Sequence, residues 1–331
     1  MAQKEDRGVL QLDAKNRRIL LELDRNSRAS LAELAGKTRL SKEVVFHRIN
    51  NLVKEGIILR FQAVVSSYRL GYQSYKIYFR LQDMNPKARE KLQGFLMKDS
   101  MVYWVGVCQG RWDMIIAYWA RSAREVGEFE DRLLHKFSQH IQEKTVTISR
   151  QTAQYNRRWF APEGAEPVEM DFGEGSEVVE IDEIDTKILQ QLANNARMKL
   201  TELAEATNLT PSIMRYRIRN LEGRGIIVGY KYALDTRRLG YETCKAFLSL
   251  KESTPAKRKA LMEYCKMKPN TINIVSTIGP WDMEIEFEVR NFEEYYSIMS
   301  DIQERFGRII KSYDSVLFSS EPKQSFMPGA K

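Results

Sequence analysis

The sequence predicts an α+β protein built from one unit written twice. Each unit opens with three helices and a strand and continues as βαββαβ. Three observations predict this. Residues from Leu12 onward match those from Ile181 onward at a constant shift of 169 positions, without a gap as far as residues 150 and 319. Over Leu12–Tyr72 the two copies share 23 of 61 residues, and over Gln73–Arg150 they share 14 of 78. In the first part of each unit the apolar residues recur at helical spacing, and in the second part stretches of strand-like alternation are separated by helical stripes.

Bulk composition sets the class. The chain has 331 residues, a net charge of +8 and 43% hydrophobic residues, which suits two or more globular domains. No apolar run approaches the roughly 18 residues of a membrane span, and the start MAQKEDRGVL lacks the apolar core of a signal peptide, so a cytoplasmic protein without membrane contact is expected. The cysteines Cys108, Cys244 and Cys265 form no metal spacing and are expected to be buried thiols. The three histidines, His47, His135 and His140, all lie in copy one and cannot build matching centres in both copies. No metal, no cofactor and no catalytic residue is expected. The positive charge favours an anionic partner.

The first helix of copy one carries Leu12, Ile19, Leu20 and Leu23 on one stripe, and SLAELAGKTRL forms a second, short helix. In LSKEVVFHRINNLVKEGII, Ser41 is the expected N-cap, Val45, Ile49 and Leu52 share one face, and Gly56 ends the helix. Copy two repeats this grammar with Thr210 at the cap, Pro211 at the first turn, Met214, Ile218 and Leu221 inward, and Gly225 at the stop. Two short helices joined by a tight turn, the second with a polar outer face, make a helix-turn-helix reader for the major groove of double-stranded DNA. The candidate DNA-binding residues are Ser41, Lys42, Phe46, His47 and Asn50 in copy one, and Ser212, Arg215, Tyr216 and Arg219 in copy two. Arginine reads guanine edges bidentately and asparagine reads adenine, so copy two is the stronger reader. Glu43 weakens copy one, since phosphate repels it. After Gly56-Ile-Ile and Gly225-Ile-Ile, a strand and a connection lead into the second part.

There the order is YKIYFRL (strand), PKAREKLQGFLMK (helix), VYWVGVC (strand), the turn GRWDM, IIAYWA (strand), SAREVGEFEDRLLHKF (helix) and TVTIS (strand), the ferredoxin-like order. Two helices cover one sheet face and leave the other bare. In MEIEFEV of copy two, Glu284, Glu286 and Glu288 alternate with apolar residues and are assigned to the bare face, where the first strand of copy one offers Lys76 and Arg80. Buried carboxylates need partners. Face-to-face pairing of the two sandwiches through Lys76, Arg80 and the three glutamates is therefore expected. The turn recurs as GPWDM, in which Gly110 and Gly279 suit unusual backbone angles and Asp113 and Asp282 can cap the turn.

The run LD…IL…LAELA…LS…RI..L…GII…LGY resembles the Lrp/AsnC (leucine-responsive, feast/famine) transcription regulators across nearly the whole chain, twice. Asn16 departs from the pattern, where copy two has Asp185. The resemblance implies a winged helix-turn-helix domain and an α/β sandwich that pairs between protomers and senses a small molecule such as an amino acid. It places the effector contact at the G-x-x-D turns, that is Gly110, Asp113, Gly279 and Asp282. The expected organisation is a reader at 1–60, a sandwich at 61–152, an acidic linker at 153–180, a second reader at 181–229, a second sandwich at 230–320 and a tail at 321–331. Between Trp159 and Glu180 there are seven acidic residues and no lysine or arginine; Arg157 and Arg158 precede this stretch, as phosphate contacts or as the docked end of the linker. The functional expectation is a transcription regulator with two unequal readers in one chain, an internal pseudo-dimer able to assemble further. The alternatives are a fused enzyme like the sirohaem decarboxylases and an architectural DNA-binding protein without an effector.

Overall fold

The computed structural model describes residues 9–162, 164–172 and 177–329. Copy one runs α1 (Ala14–Arg25), α2 (Leu31–Thr38), α3 (Lys42–Lys54), β1 (Ile58–Val65), β2 (Gln73–Leu81), α4 (Pro86–Lys98), β3 (Val102–Gly110), β4 (Met114–Ala120), α5 (Ala123–Phe137) and β5 (Ile141–Tyr155). A short β6 (Glu169–Asp171) follows. Copy two repeats the order with α6 (Glu183–Asn194), α7 (Leu200–Thr207), α8 (Pro211–Gly223), β7 (Ile227–Leu234), β8 (Glu242–Leu250), α9 (Pro255–Met267), β9 (Thr271–Ile278), β10 (Met283–Val289), α10 (Phe292–Phe306) and β11 (Ile310–Gln324).

The helix starts are capped as their sequences dictate. The side chains of Asp13, Ser30, Ser41, Asp182 and Thr210 each accept a hydrogen bond from a first-turn N–H. The turn before each reading helix passes through left-handed Arg39 and Asn208.

The copies are interlocked. Strands β1 and β7 pair antiparallel with Phe61 opposite Tyr232 and Ala63 opposite Tyr230, around a pseudo-twofold axis. Each helical core is completed by the other copy's strand. Ala63, Val65 and Leu70 of copy one pack with Ile188, Leu192 and Met214 of copy two, while Tyr232, Leu234 and Leu239 pack with Ile19, Leu23 and Val45. Hydrogen bonds repeat the exchange: Ser27 N to Tyr230 O mirrors Ala196 N to Phe61 O, and Asp235 N to Ile57 O mirrors Ser66 N to Ile226 O.

The two sandwiches merge as well. Among the described residues the ladders β2–β4–β3–β11–β8–β10–β9–β5 and back to β2 close an eight-stranded antiparallel barrel. Closure comes from two long strands. The first half of β5 pairs with β2 and its second half with β9; β11 likewise runs from β8 to β3. Closure removes the open sheet edges that separate sandwiches would present. Helices α4 and α5 pack outside over Phe79, Val105 and Ile116, and α9 and α10 over Ile274, Ile285 and Phe287.

Several expected limits differ in the structure; β1 and β7, for instance, begin at Ile58 and Ile227, before the divisions expected at 60/61 and 229/230. The first sandwich extends past residue 152, because β5 continues to Tyr155 to reach β9 and β6. The second extends past 320, because β11 continues to Gln324 to reach β3. Met327, expected in a tail, is buried in the core of the second helical domain. Of the acidic linker, Glu163 and Glu174, with Gly173, Gly175 and Ser176, lie outside the described residues, as do residues 1–8 with the start MAQKEDRG. Among the described residues no helix is long and apolar enough to cross a membrane.

Candidate nucleic-acid interface and the barrel interior

Helices α3 and α8 bury one stripe each, Val45, Ile49 and Leu52 in the first and Met214, Ile218 and Leu221 in the second. The opposite faces are open. Lys42, Phe46, His47 and Asn50 are exposed on α3, and Ser212, Arg215, Tyr216 and Arg219 on α8. Phe46 is 48% and Tyr216 70% exposed, unusual for aromatic side chains that serve no core. Ser41 is exposed too, and its hydroxyl accepts from Val44 N at 3.3 Å to start α3. Arg48 and Arg217 hold the two helices to the bodies of their domains. Arg48 donates to Asp13 at 2.7 Å and Asn16 at 2.9 Å; Arg217 donates to Asp182 and Asp185, both at 2.8 Å. The Asn16/Asp185 difference thus sets one carboxylate partner against two.

The bare sheet faces form the barrel interior. Tyr78, Trp104, Trp112, Phe247, Trp281 and Phe318 fill much of it. Glu284 accepts from Lys76 Nζ at 2.6 Å and from the Tyr78 hydroxyl, with Lys245 Nζ 3.6 Å away. Burial opposes ionisation of Glu284, but Lys76 and Lys245, with the hydrogen bonds from Lys76 and Tyr78, outweigh it and hold its carboxyl down at about 2. Lys76 and Glu284 therefore join copy one to copy two.

The rest of the expected pairing is different. Arg80 is exposed near the end of β2, opposite Glu143 of β5, and takes no part in the glutamate row. Lys76 and Tyr78 on the same face of β2 reach Glu284, whereas Arg80 follows them at the exposed end of the strand. Glu286 pairs inside its own copy, with Lys245 at 3.0 Å. Glu288 is held by Arg157 Nε at 2.9 Å and by the Trp159 indole N–H at 2.6 Å. Arg157 also reaches Asp24 of α1 at 3.2 Å, and the Arg158 guanidinium donates to the carbonyls of Lys266, Met267 and Lys268 at the end of α9. Both arginines thus dock the linker.

Lys245 escaped the sequence reading. For Lys245 a signal existed, since it stands 169 positions after Lys76. Arg157 was singled out as a phosphate contact or a docked linker end, but its partners Asp24 and Glu288 come from α1 and β10, remote in sequence, and could not be named.

The turns show the same geometry twice. Asp113 Oδ2 accepts from Leu81 N at 2.8 Å, and Asp282 Oδ2 from Leu250 N at 2.7 Å. Their own amides donate to Phe79 O and Leu248 O, both at 2.9 Å. Gly110, with φ 123°, has the carbonyl oxygen of Ser315 2.5 Å from where a Cβ would stand, and at Gly279 the Thr147 methyl would lie 2.8 Å away. Both turns therefore lie on the seams between the copies, and both need glycine where the other copy's strand passes.

Known proteins fit this arrangement. The family profile for winged helix-turn-helix DNA-binding domains matches residues 12–58 and 181–228. The HTH-type transcriptional regulator FL11 of Pyrococcus horikoshii is 31% identical over 116 residues, 35% of this chain and 76% of that protein. The chain belongs to the Lrp/AsnC family of helix-turn-helix transcriptional regulators. The regulatory protein AsnC of Haemophilus influenzae is 24% identical over 120 residues, 36% of this chain and 79% of that protein. Over nearly the full length, the chain shares its fold with the siroheme decarboxylase NirDL, with a TM-score of 0.64 at 11% identity, covering 95% of this chain and 94% of that one. This Lrp/AsnC member is a DNA-binding transcription regulator whose two readers are carried by one polypeptide.

Proposed function

We propose that α3 and α8 enter successive major grooves and read two different half-sites. Lys42, Phe46, His47 and Asn50 would contact one, with Ser41 at the helix start facing phosphate. Ser212, Arg215, Tyr216 and Arg219 would contact the other. One observation carries the reading: the interlocked β1–β7 ribbon relates two reading helices by a pseudo-twofold axis while their exposed side chains differ at corresponding positions. A footprint with single-base substitutions tests it. Two unlike half-sites about one helical turn apart are expected; two identical half-sites would refute unequal reading.

We further infer that a small molecule such as an amino acid modulates binding at the turns of Gly110, Asp113, Gly279 and Asp282, where the two copies meet. Asp113 and Asp282 are half-buried beside backbone groups at the seams. Asp113→Asn and Asp282→Asn preserve the acceptor that holds Leu81 N or Leu250 N but remove the charge. Folded variants with an unchanged effector response would sink this assignment.

A regulator without enzymatic activity is the reading we favour over a sirohaem decarboxylase. His47 and His135 are exposed on α3 and α5, His140 is half-buried before β5, and copy two carries no histidine. The barrel interior is packed with aromatic side chains, and the cavity beside them measures about 100 Å³, below the roughly 300 Å³ at which pockets for larger organic ligands begin. A new visible absorbance band after incubation with sirohaem would overturn this reading. Binding confined to specific operators, rather than any duplex, separates a regulator from an architectural protein.

A further inference from the structure

The pseudo-twofold axis has two ends. It passes through Gln62 of β1 and Lys231 of β7, which face each other in the ribbon and stand at equivalent positions of the two copies. Both side chains point to the barrel: Gln62 Nε2 donates to Gln324 O of β11 at 3.4 Å, and Lys231 Nζ to Tyr155 O of β5 at 3.2 Å. Strand alternation therefore turns their neighbours Phe61 and Tyr230 to the opposite face, where the helical domains pack.

At that outer end two arginines meet. Arg28 and Arg197 occupy equivalent positions in the loops before α2 and α7. Arg28 Nη1 donates to Ala196 O and, at 3.4 Å, to Met198 O. Arg197 Nη1 donates to Ser27 O at 2.8 Å and to Ala29 O at 3.0 Å. Each guanidinium thus grips the two carbonyls that flank the other arginine. Each also lies over a ring of the ribbon's outer face, Arg28 over Tyr230 at 5.7 Å and Arg197 over Phe61 at 5.5 Å.

The pair lacks a counter-charge. Among the described residues neither guanidinium forms an ion pair, and the Nε and Nη2 groups of both donate no hydrogen bond. The carboxylates nearest along the chain are engaged elsewhere, Asp24 with Arg157, Glu33 with the Ser30 amide and Glu202 with the Lys199 amide. Both arginines are half-buried, so their free N–H groups remain within reach of a partner outside. Burial, then the neighbouring charge of Arg28, push the Arg197 guanidinium down from its ordinary value. Two like charges held together are relieved by an anion that accepts from both, and the planar fork of arginine suits phosphate.

Symmetry names the anion. A duplex that meets α3 and α8 equivalently must cross the pseudo-twofold axis. The barrel occupies one end of that axis, so the duplex crosses at the other, where the arginines lie. We propose that Arg28 and Arg197 form a phosphate-binding site on the axis, which takes the DNA backbone between the two half-sites. The proposal rests on α3 and α8 being the DNA-facing helices and adds a contact that neither of them makes. The reading positions differ between the copies, whereas this pair is the same in both, as suits a contact to phosphate, which carries no base identity.

The test is the salt dependence of binding of the full chain to a fluorescein-labelled duplex spanning the footprint, followed by anisotropy from about 50 to about 300 mM salt. Arg28→Gln and Arg197→Gln keep a donor for the carbonyls and lose the charge. Each should lower the slope of log affinity against log salt by about 0.9, and the double variant by about 1.8. At about 150 mM salt each should weaken binding about fivefold, with base preference unchanged in both half-sites. Arg28→Lys and Arg197→Lys should retain the wild-type slope, since an ammonium still neutralises a phosphate. An unchanged slope in folded Gln variants would overturn the proposal whatever their Tm, because a clasp that only joins the copies alters stability and not the number of phosphates neutralised. Should the Gln variants not fold, ethylation interference with the wild-type protein decides. Ethylated phosphates at the centre of the site should block binding, and interference confined to the two half-sites would overturn the proposal. Thermal stabilisation by inorganic phosphate, lost in Gln variants of unchanged slope, would mark a free-anion site and also overturn it. Identical half-sites with a lowered slope would support the axial site and count against unequal reading alone.

Discussion

Replacing Lys76 with methionine removes the cation that ties copy one to Glu284 while keeping most of the side-chain volume. Two quantities bound the cost. Glu284 is 1% exposed, and its carboxyl stands at about 2 against 4.5 for an unperturbed glutamate. At about 1.4 kcal/mol per pH unit, Lys76, Lys245 and Tyr78 together give ionised Glu284 about 3 kcal/mol of folding stability, a ceiling on the share of Lys76. Because the folded value is the lower one, this contribution is complete above pH 4.5 and is lost as pH falls toward 2. Independently, stranding one member of a buried ion pair costs about 3–5 kcal/mol. Lys245 at 3.6 Å and the Tyr78 hydroxyl remain beside the carboxylate, so the lower end applies. Lys76→Met should therefore lose about 3 kcal/mol at neutral pH and about half as much near pH 3. The double variant Lys76→Met/Glu284→Leu should return to within about 1 kcal/mol of wild type, since apolar replacement of a whole buried pair is often neutral. Urea unfolding followed by tryptophan fluorescence suits the measurement, because Trp104, Trp112 and Trp281 lie in the barrel interior. A loss below about 1 kcal/mol in Lys76→Met, or a double variant as unstable as the sum of the single ones, would refute the reasoning.

The docked linker, the turns and the readers make further predictions. Arg157→Met leaves Asp24 and Glu288, 0% and 2% exposed, without their guanidinium; Tm should fall by roughly 10 °C, and Arg157→Lys should not restore it, because one ammonium cannot span both carboxylates. Asp113→Ala and Asp282→Ala should each cost about 1–2 kcal/mol in the same urea assay, and clearly unequal losses would contradict their mirrored hydrogen bonds to Leu81 N and Leu250 N. In operator titrations, Arg215→Ala and Arg219→Ala should each weaken binding by about 1–3 kcal/mol and relax base preference in one half-site. Asn50→Ala should act on the other half-site, and a shared effect on both would argue against one reader per half-site.

Much of this protein was legible one copy at a time. The stripes Val45/Ile49/Leu52 and Met214/Ile218/Leu221 place the reading helices because helical periodicity and caps are local properties. The same stripes leave Phe46, Asn50, Tyr216 and Arg219 on the open face. The alternation in MEIEFEV put Glu284 on the inner sheet face, and Lys76 on the facing strand of the other copy met it. Arg80 did not follow, although it shares a face with Lys76, because alternation specifies a side of a sheet but not a height along the barrel.

The repeat thus determines by itself that the chain holds two readers and two sandwiches, since periodicity, capping and turn chemistry act over a few residues. Only the tertiary structure decides that neither copy is complete alone. The exchange of β1 and β7, and the passage of β5 and β11 from one sheet to the other, depend on contacts between residues more than a hundred positions apart. Such pairings repay their chain entropy only once both copies have folded around each other. The turns GRWDM and GPWDM show the division clearly: their glycine and aspartate mark a turn in the sequence, but the strand of the other copy passing over each glycine is visible only in the closed barrel.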